Sequence, residues 1–474
     1  MEEWKTYSLF HSSTLHIGDA LKLLAFFFLA FTACGPNALA AGRPNFVIMM
    51  TDDQRHDAMG IAGNRMLKTP NLDRIGREGI RFRNMFVINA LCAPSRATLL
   101  TGLYSHSHGV IDNRDRALKP EQPILADLMR EAGYEVTFCG KSHVNGALRD
   151  RKWDYYFGYR GQGRYMNPVI AEGVDGTDKA YPGYMDDVVT DKAVDWLKRK
   201  REKPFCLFLF FKAPHRSWER APRHAELFKD DVVPKPSGWD EFDKGYPGKP
   251  RAFADADNKI GNAPDVMSLE KMVKDINATV TAVDENVGKV FAALEVTGRL
   301  KDTAMLFTSD NGFFHGEWRL YDKRLMHEPS IRVPLLIRYP DGIKSGLVKD
   351  QMALNVDIAP TILDMARIPV PNWMHGRSLL PILSGKRTAW RKDWLYEYFE
   401  YPDSHKVKPH RGIRTDRWKL IHYYETPEEF ELYDLRKDSG ELNNLYGGPD
   451  SAQVTAQLKR RLETLRRETG DLPG

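Results

Sequence analysis

The sequence predicts an α/β fold built on a mostly parallel central sheet flanked by helices, followed by a smaller C-terminal α+β subdomain that contains an antiparallel sheet. Three observations predict it. From Asn45 onward, short and almost continuously apolar runs alternate with helical patterns, as expected of strands covered on both faces by crossover helices. Several of these runs are followed at once by ionisable residues, the placement expected where ligands bind at the carboxyl edge of an open parallel sheet. After about Asp364 the texture changes to turns, aromatics and short alternating segments, the mark of antiparallel strands.

At 474 residues the chain is too long for one ordinary core. The expected divisions are an export signal over 1–41, a main domain over 42–364 and a C-terminal subdomain over 365–474. Leu23–Ala33 (LLAFFFLAFTA) follows Lys22 and precedes small residues, which makes it a signal-peptide core. It is far shorter than the roughly 20 residues that span a bilayer, so a permanent membrane helix is disfavoured. Two exits are open: Ala38-Leu39-Ala40 supplies a cleavage site, and Cys34 follows Thr32-Ala33 in an imperfect lipobox with Phe31 where Leu is usual. Plain secretion, or a periplasmic location, is the favoured destination; the alternative is an outer-surface lipoprotein held to a membrane only through Cys34.

The strands read from the apolar runs are Phe46–Met50, Glu135–Cys139, Phe205–Phe211, Ala304–Thr308 and Val333–Arg338. The clearest helix starts at Ser268 as N-cap and stops at Gly298, with Met272, Ile276, Val280, Val283, Val287, Val290 and Leu294 on one face. That stripe is core. The Pro/Gly-rich stretch from Val232 to Pro264 is expected to form a long surface excursion. In the C-terminal part, Trp418–Tyr424 and Phe430–Leu435 are the expected strands.

A hydrophobic content of 42% with 28% charged residues indicates a globular chain, and a net charge of +5 is too small to imply nucleic acid. Four cysteines, one inside the export signal, cannot frame an exported protein of this size. Cys139 and Cys206 stand in or beside apolar runs and read as buried small hydrophobes. Trp373 and Trp418 offer flat faces on which a ring could stack, but core packing is the favoured reading for both.

Function is written at the strand ends. Thr51-Asp52-Asp53 follows the first run, Gly140-Lys141-Ser142-His143 the second, Lys212-Ala213-Pro214-His215 the third and Ser309-Asp310-Asn311-Gly312 the fourth. One such tetrapeptide would be an ordinary turn; four together converge acids, an amide, histidines and lysine on one edge. Asp52, Asp53, Asp310 and Asn311 are hard oxygen donors suited to Ca²⁺ or Mg²⁺, without the Cys and His-pair spacing of a zinc site. Lys141, His143 and His215 suit an anion and proton transfer. A cation facing ammonium and imidazole groups implies a substrate carrying a phosphoryl or sulfuryl group.

Between the first two runs lies Leu91–Gly102, LCAPSRATLLTG. Cys92-Ala93-Pro94-Ser95-Arg96 matches the C-x-P-x-R signature of type I sulfatases, followed by Thr101-Gly102, and the chain resembles that family from about Asn45 to its end. The resemblance implies an alkaline-phosphatase-like fold, calcium in preference to magnesium, and oxidation of Cys92 by a formylglycine-generating enzyme, with Cys92 then joining the four oxygen donors at the metal. The family chemistry has a formylglycine hydrate attack sulfur, His215 or a nearby lysine protonate the departing sugar oxygen, and His143 act as base. Arg96 would orient the hydrate, while Lys141 and Lys323, the latter in YDKR at Tyr321–Arg324, would hold sulfate oxygens.

Where many relatives read GFFLGEHGW this chain has GFFHGEWRL, so the usual loop histidine is replaced by Trp318. His315, His327 and Glu317 share that loop, and ligand and scaffold roles stay open for them. The segment Glu397–Leu420, with YFEYP, His405 and PHRGIRTDRWKL, is similar to carbohydrate sulfatases of the N-acetylglucosamine-6-sulfatase and mucin-desulfating type. His405, His410, Arg411 and Arg414 are either contacts to a sulfated sugar or a polar seam between subdomains. The expected substrate is a sulfated polysaccharide or glycosaminoglycan fragment. The alternatives are a phosphonate monoester or phosphodiester hydrolase of the same superfamily and a non-catalytic binder of sulfated glycans.

Overall fold

The computed structural model describes residues 42–114, 117–144, 148–339 and 342–472. The export signal, with its apolar run, cleavage site and Cys34, lies outside the described residues. No helix among the described residues is long and apolar enough to cross a membrane.

Pro44–Gly474 make one compact unit. Its centre is a ten-stranded sheet of β1 (Asn45–Thr51), β2 (Ile80–Phe82), β4 (Glu135–Lys141), β5 (Tyr155–Tyr159), β6 (Val169–Glu172), β7 (Asp178–Ala180), β8 (Phe205–Phe210), β9 (Thr303–Ser309), β11 (Leu335–Arg338) and β12 (Leu347–Lys349). The short strands β3 (Met85–Phe86), β10 (Arg332–Val333) and β13 (Ala353–Leu354) form a second sheet. The large sheet runs in the order β12-β2-β11-β9-β1-β8-β4-β5-β6-β7. Its middle, β9-β1-β8-β4-β5, is wholly parallel, so five adjacent carboxyl ends face the same way.

Side chains on β1 alternate between two cores, as a pleated strand requires. Phe46, Ile48 and Met50 enter one apolar cluster, and Val47 and Met49 enter the other with Val283, Val287, Val290 and Trp196. The helix Leu269–Val296 follows its expected cap, with the Ser268 hydroxyl accepting from Lys271 N–H at 3.3 Å, and its whole apolar stripe is buried. Cys139 and Cys206 are buried and free. Trp373 and Trp418 are half-buried against the first core.

The fifth expected strand, Val333–Arg338, is corrected. Pro334 lacks an N–H for the ladder, and the run divides there into β10, in the small sheet, and β11, which lies antiparallel to β9. The Val232–Pro264 excursion is more than surface: Phe253 is buried, and Lys249 reaches into the C-terminal part to Glu431 at 3.3 Å.

That C-terminal part is an antiparallel sheet of β14 (Asp393–Tyr398), β15 (His410–Thr415), β16 (Trp418–Tyr423) and β17 (Glu429–Asp434). The helix Ala452–Glu468 buries Leu458, Leu462 and Leu465 in the shared core. Its end is pinned by His106. The Nδ1 of His106 faces Glu397 Oε2 at 2.6 Å, and Nε2 faces the Thr469 carbonyl at 2.8 Å. Both partners only accept, so both ring nitrogens carry hydrogen and the imidazole is cationic. Burial opposes that charge, but the hydrogen bond and charge of Glu397, with the Thr469 carbonyl and Asp471, raise the pKa above the ordinary 6.5.

A raised folded-state pKa contributes stability that is full below the unfolded value and is lost as pH climbs through the folded one. Replacement His106→Gln should therefore cost about 1–3 kcal/mol near pH 6 and less near pH 9, as read from denaturant unfolding at the two pH values. Equal losses at both would contradict a charged His106.

Candidate functional site

The four polar clusters meet at the carboxyl edge of β9-β1-β8-β4. Asp52 and Asp53 leave β1, Asp310 and Asn311 leave β9, Lys141 closes β4 with His143 two residues on, and Lys212 and His215 follow β8. The strands approach closely where the site is built. Gly140 has φ +114°, and a Cβ there would stand 1.8 Å from the Phe210 carbonyl oxygen, so only glycine serves. Asp53 at φ +74° and His143 at φ +46° hold the left-handed backbone uncommon for side-chain-bearing residues, which turns both side chains back over the sheet edge.

The Cys92–Thr101 helix supplies the centre. Cys92 is its first residue, and Pro94 stands in the first turn, where an N–H has no helical partner to lose. Arg96 is one turn on from Cys92 and so shares its face. The whole helix is buried. Arg96 donates from Nε to Asp310 Oδ2 at 2.8 Å and from Nη1 to the Lys141 carbonyl at 2.8 Å, while its Nη2 lies 2.8 Å from Asp310 Oδ2 and 3.4 Å from Asp52 Oδ2. Lys141 Nζ donates to Asp52 and to Gln162 Oε1, the latter at 2.5 Å. Lys323 Nζ donates to Asp53 and lies 3.2 Å from Cys92 Sγ, which is 3.5 Å from Asp52 Oδ1.

Oxygen atoms of Asp52, Asp53 and Asp310 lie within 4.8 Å of one another. Asp53 Oδ2 and Asn311 Oδ1 are buried with no hydrogen-bond partner. Buried polar oxygens are ordinarily paired, so this donor set, hard oxygens with two unpaired members, fits a divalent cation of the calcium or magnesium kind. Burial and the charge of Asp52 push the Asp310 carboxyl up to about 7, with Arg96 pulling the other way. Burial opposes the charge of Asp52, yet Lys141, His215, Arg96 and Lys323 together hold its carboxyl well below the ordinary range.

His215 donates from Nδ1 to the Arg216 carbonyl at 2.6 Å, which leaves Nε2 toward the cluster, 3.8 Å from Asp53 Oδ2. His143 is buried with Nδ1 unpaired. Burial, and then Lys141, lowers the pKa of both rings.

The remaining candidates divide. His405 joins the Lys323 loop indirectly, with Nε2 at 3.3 Å from Asp322 Oδ2 and Nδ1 at 3.2 Å from Asp257 Oδ1. His410 lies in β15 among the rings of Tyr396, Tyr398 and Tyr423. Arg411 pairs with Asp471 at 3.3 Å and covers Tyr424. Arg414 pairs with Glu328 at 3.3 Å and covers Phe86. The structure therefore brings His405 toward the cluster and engages His410, Arg411 and Arg414 within the C-terminal sheet and its seam. Glu317 accepts from Arg55 at 2.6 Å and from the His315 N–H at 2.7 Å. His327 is buried 3.4 Å from Glu431 Oε2. Trp318 is buried edge-on to Phe253, with Lys249 Nζ 4.6 Å from its ring centre.

Sequence reasoning missed Gln162 and gave Lys212 no role. Gln162 follows β5, an aromatic strand that alternation alone did not reveal, and its backbone carbonyl accepts from Lys212 Nζ at 2.9 Å. Burial and Lys141 bring Lys212 down to about 8.

The Sulfatase family profile matches residues 44–368, and the profile for N-sulphoglucosamine sulphohydrolase, C-terminal, matches residues 316–468. The N-acetylglucosamine-6-O-sulfatase of Bacteroides thetaiotaomicron is 36% identical over 99% of this chain and 94% of its own length. A solved structure of an enzyme in complex with its substrate D-glucosamine-2-N,6-O-disulfate superposes with a TM-score of 0.84 at 35% identity, covering 90% of this chain and 98% of its own. The phosphonate monoester hydrolase of Agrobacterium radiobacter, at 23% identity over 90% of this chain and 97% of its own, shares the fold with a TM-score of 0.76. With Cys92 and Arg96 of the C-x-P-x-R pattern at the centre of the buried cluster and both profiles matched around it, the chain belongs to the sulfatase family and is a sulfuric ester hydrolase of alkaline-phosphatase-like fold.

Proposed function

We propose that this enzyme removes a 6-O-sulfate from an N-acetylglucosamine or related glucosamine unit of a sulfated carbohydrate, using a calcium ion and a formylglycine made from Cys92. The observation that carries the reading is the position of Cys92, at a helix start between the Asp52 carboxylate and the Lys323 ammonium. The substrate follows from the relative that matches nearly the whole chain, C-terminal segment included. Export through the segment before Asn45, and maturation by a formylglycine-generating enzyme, belong to the same proposal.

Asp52, Asp53, Asp310 and Asn311 would hold the ion. Bound there, the ion would offset charge on the sulfate oxygens and the modified residue would offer a hard oxygen nucleophile, whereas a soft sulfur among carboxylates fits neither task. Lys141 and Lys323 approach from two sides and hold sulfate oxygens. Arg96 keeps Asp310 and the end of β4 in place through its three-way contact. His215, neutral and with its Nδ1–H given to the Arg216 carbonyl, turns a bare Nε2 to the cluster, where it can accept a hydrogen bond, and Lys212, whose ammonium meets the same carbonyl at 3.5 Å, is the group placed to give a proton to the departing sugar oxygen. His143 presents its unpaired Nδ1 as the base.

Rates on N-acetylglucosamine 6-sulfate and the matched 6-phosphate test the reading. The sulfate ester should be favoured by about two orders of magnitude or more in kcat/KM, and Cys92→Ala should lower turnover about 10³-fold or more. A preference for the phosphate would make the enzyme a phosphoryl hydrolase, and binding of sulfated glycans without turnover would make it a binder.

Metal removal gives a second test. Chelated enzyme should lose turnover and recover it with calcium, and calcium at about 100 times its Kd should raise unfolding stability by about 2.7 kcal/mol. A thermal midpoint insensitive to calcium would remove the ion from this site.

A further inference from the structure

The stretch Tyr396–Glu400, which runs into the YFEYP motif set apart in the sequence and is given no work by the chemistry above, reaches the residues around Cys92 from the C-terminal part of the chain. Tyr396, on β14, is fully buried. Its hydroxyl accepts the Ala90 N–H at 3.2 Å and donates to the Arg324 carbonyl at 2.5 Å. Glu400, also buried, accepts the Asn113 N–H on Oε2 at 2.9 Å, and Asn113 Oδ1 in turn accepts the Ala93 N–H at 2.9 Å. The other oxygen of Glu400 faces Arg324 Nη2 at 3.2 Å and Nε at 3.4 Å. Ala90 and Ala93 flank Cys92, and Arg324 follows Lys323. Two side chains of one segment thus grip the two segments that present the reacting groups.

The grip falls where the backbone needs it. Asp322 and Arg324, on either side of Lys323, have φ +70° and +83°. Side-chain-bearing residues keep such angles only when the surroundings over-determine them. Here the Arg324 carbonyl is fixed by Tyr396, its guanidinium by Glu400 and Asp322, and Asp322 Oδ1 accepts the Lys323 N–H at 2.7 Å. With these pins in place, the lysine has one approach to residue 92, at 3.2 Å from its sulfur.

We propose that Tyr396 and Glu400 are positioning residues for sulfate ester hydrolysis, holding residue 92 and Lys323 in mutual register through Ala90, Asn113 and Arg324. The proposal rests on the roles given above to Cys92 and Lys323. Neither Tyr396 nor Glu400 touches the cluster itself: each acts on the backbone beside it or on Arg324. Such placement governs rate more than binding, because a small misalignment of reacting groups costs turnover steeply.

Three variants of the full-length, matured enzyme test this: Tyr396→Phe, Glu400→Gln and, as a control, Tyr423→Phe. Tyr423 lies in the same sheet and also has a buried hydroxyl, donated to Glu431 at 2.8 Å, remote in sequence from both reacting segments. Turnover is normalised to the fraction of residue 92 converted, measured by peptide mass. Tyr396→Phe and Glu400→Gln should lower kcat about ten-fold or more with KM within about two-fold, whereas Tyr423→Phe should lower only the thermal midpoint. Should Glu400→Gln fail to fold, Tyr396→Phe, which deletes a single oxygen, decides the matter. Unchanged normalised kcat in folded Tyr396→Phe, a loss confined to KM, or an equal loss in Tyr423→Phe would overturn the proposal.

Hydrogen exchange supplies a readout that needs no turnover. Peptides spanning 90–96 and 322–325 should lose protection together in Tyr396→Phe and keep it in Tyr423→Phe. Joint loss in Tyr396→Phe, where the parent enzyme itself releases no sulfate, would uphold the register and sink the chemistry assigned to it. Protection unchanged in both peptides would overturn the register.

Discussion

One buried guanidinium holds together a cluster that would otherwise repel itself. Asp52, Asp53 and Asp310 bring carboxylate oxygens to within 4.8 Å of one another at the sheet edge and are removed from water. Carboxylates in that condition are costly unless opposed by charge and hydrogen-bonded. Arg96 meets two of them and the end of a third strand at once, from the same helix face as Cys92. The residue that permits the acids to be gathered thus stands on the same helix face as Cys92, one helical turn away.

The frame around that contact is stiff. Four parallel strand ends fix the acids with Lys141 and Lys212, Gly140 lets two strands close up, and residues 53 and 143 hold left-handed backbone at the edge. The C-terminal sheet adds a second level of support. Tyr396 and Glu400 reach inward to the segments that carry Cys92 and Lys323, and His405 reaches Asp322. Lys249, His327, Glu431 and Tyr433 form a buried polar network where the long excursion meets the same sheet. A catalytic site that must hold its groups to fractions of an ångström gains from having both levels rigid.

Much of this was legible in the sequence, because the relevant signals are local. Four buried strands ended within a residue or two of where apolarity stopped, and the acids and lysines stood immediately beyond. The long helix announced itself by a cap and a stripe. What escaped was set by pairing and by distance along the chain. Pro334 divides an apolar run between two sheets, and nothing in the run says which neighbour each half will meet. Gln162 sits after an aromatic strand whose partner is β4. For His410 and Arg414 two readings stood open, contacts to a sugar or a polar seam; His410 is packed among tyrosines and Arg414 is paired to Glu328, contacts that no local pattern encodes. Trp318 likewise fills a core beside Phe253.

The proposed chemistry requires an oxygen-bearing group at residue 92, beside a set of hard oxygen donors. The most direct measurement is the mass of the peptide spanning Cys92, from enzyme made in its own host or together with a formylglycine-generating enzyme. Loss of the sulfur atom and appearance of an aldehyde are expected in the active enzyme. An intact thiol at Cys92 in protein that still hydrolyses sulfate esters would contradict that chemistry.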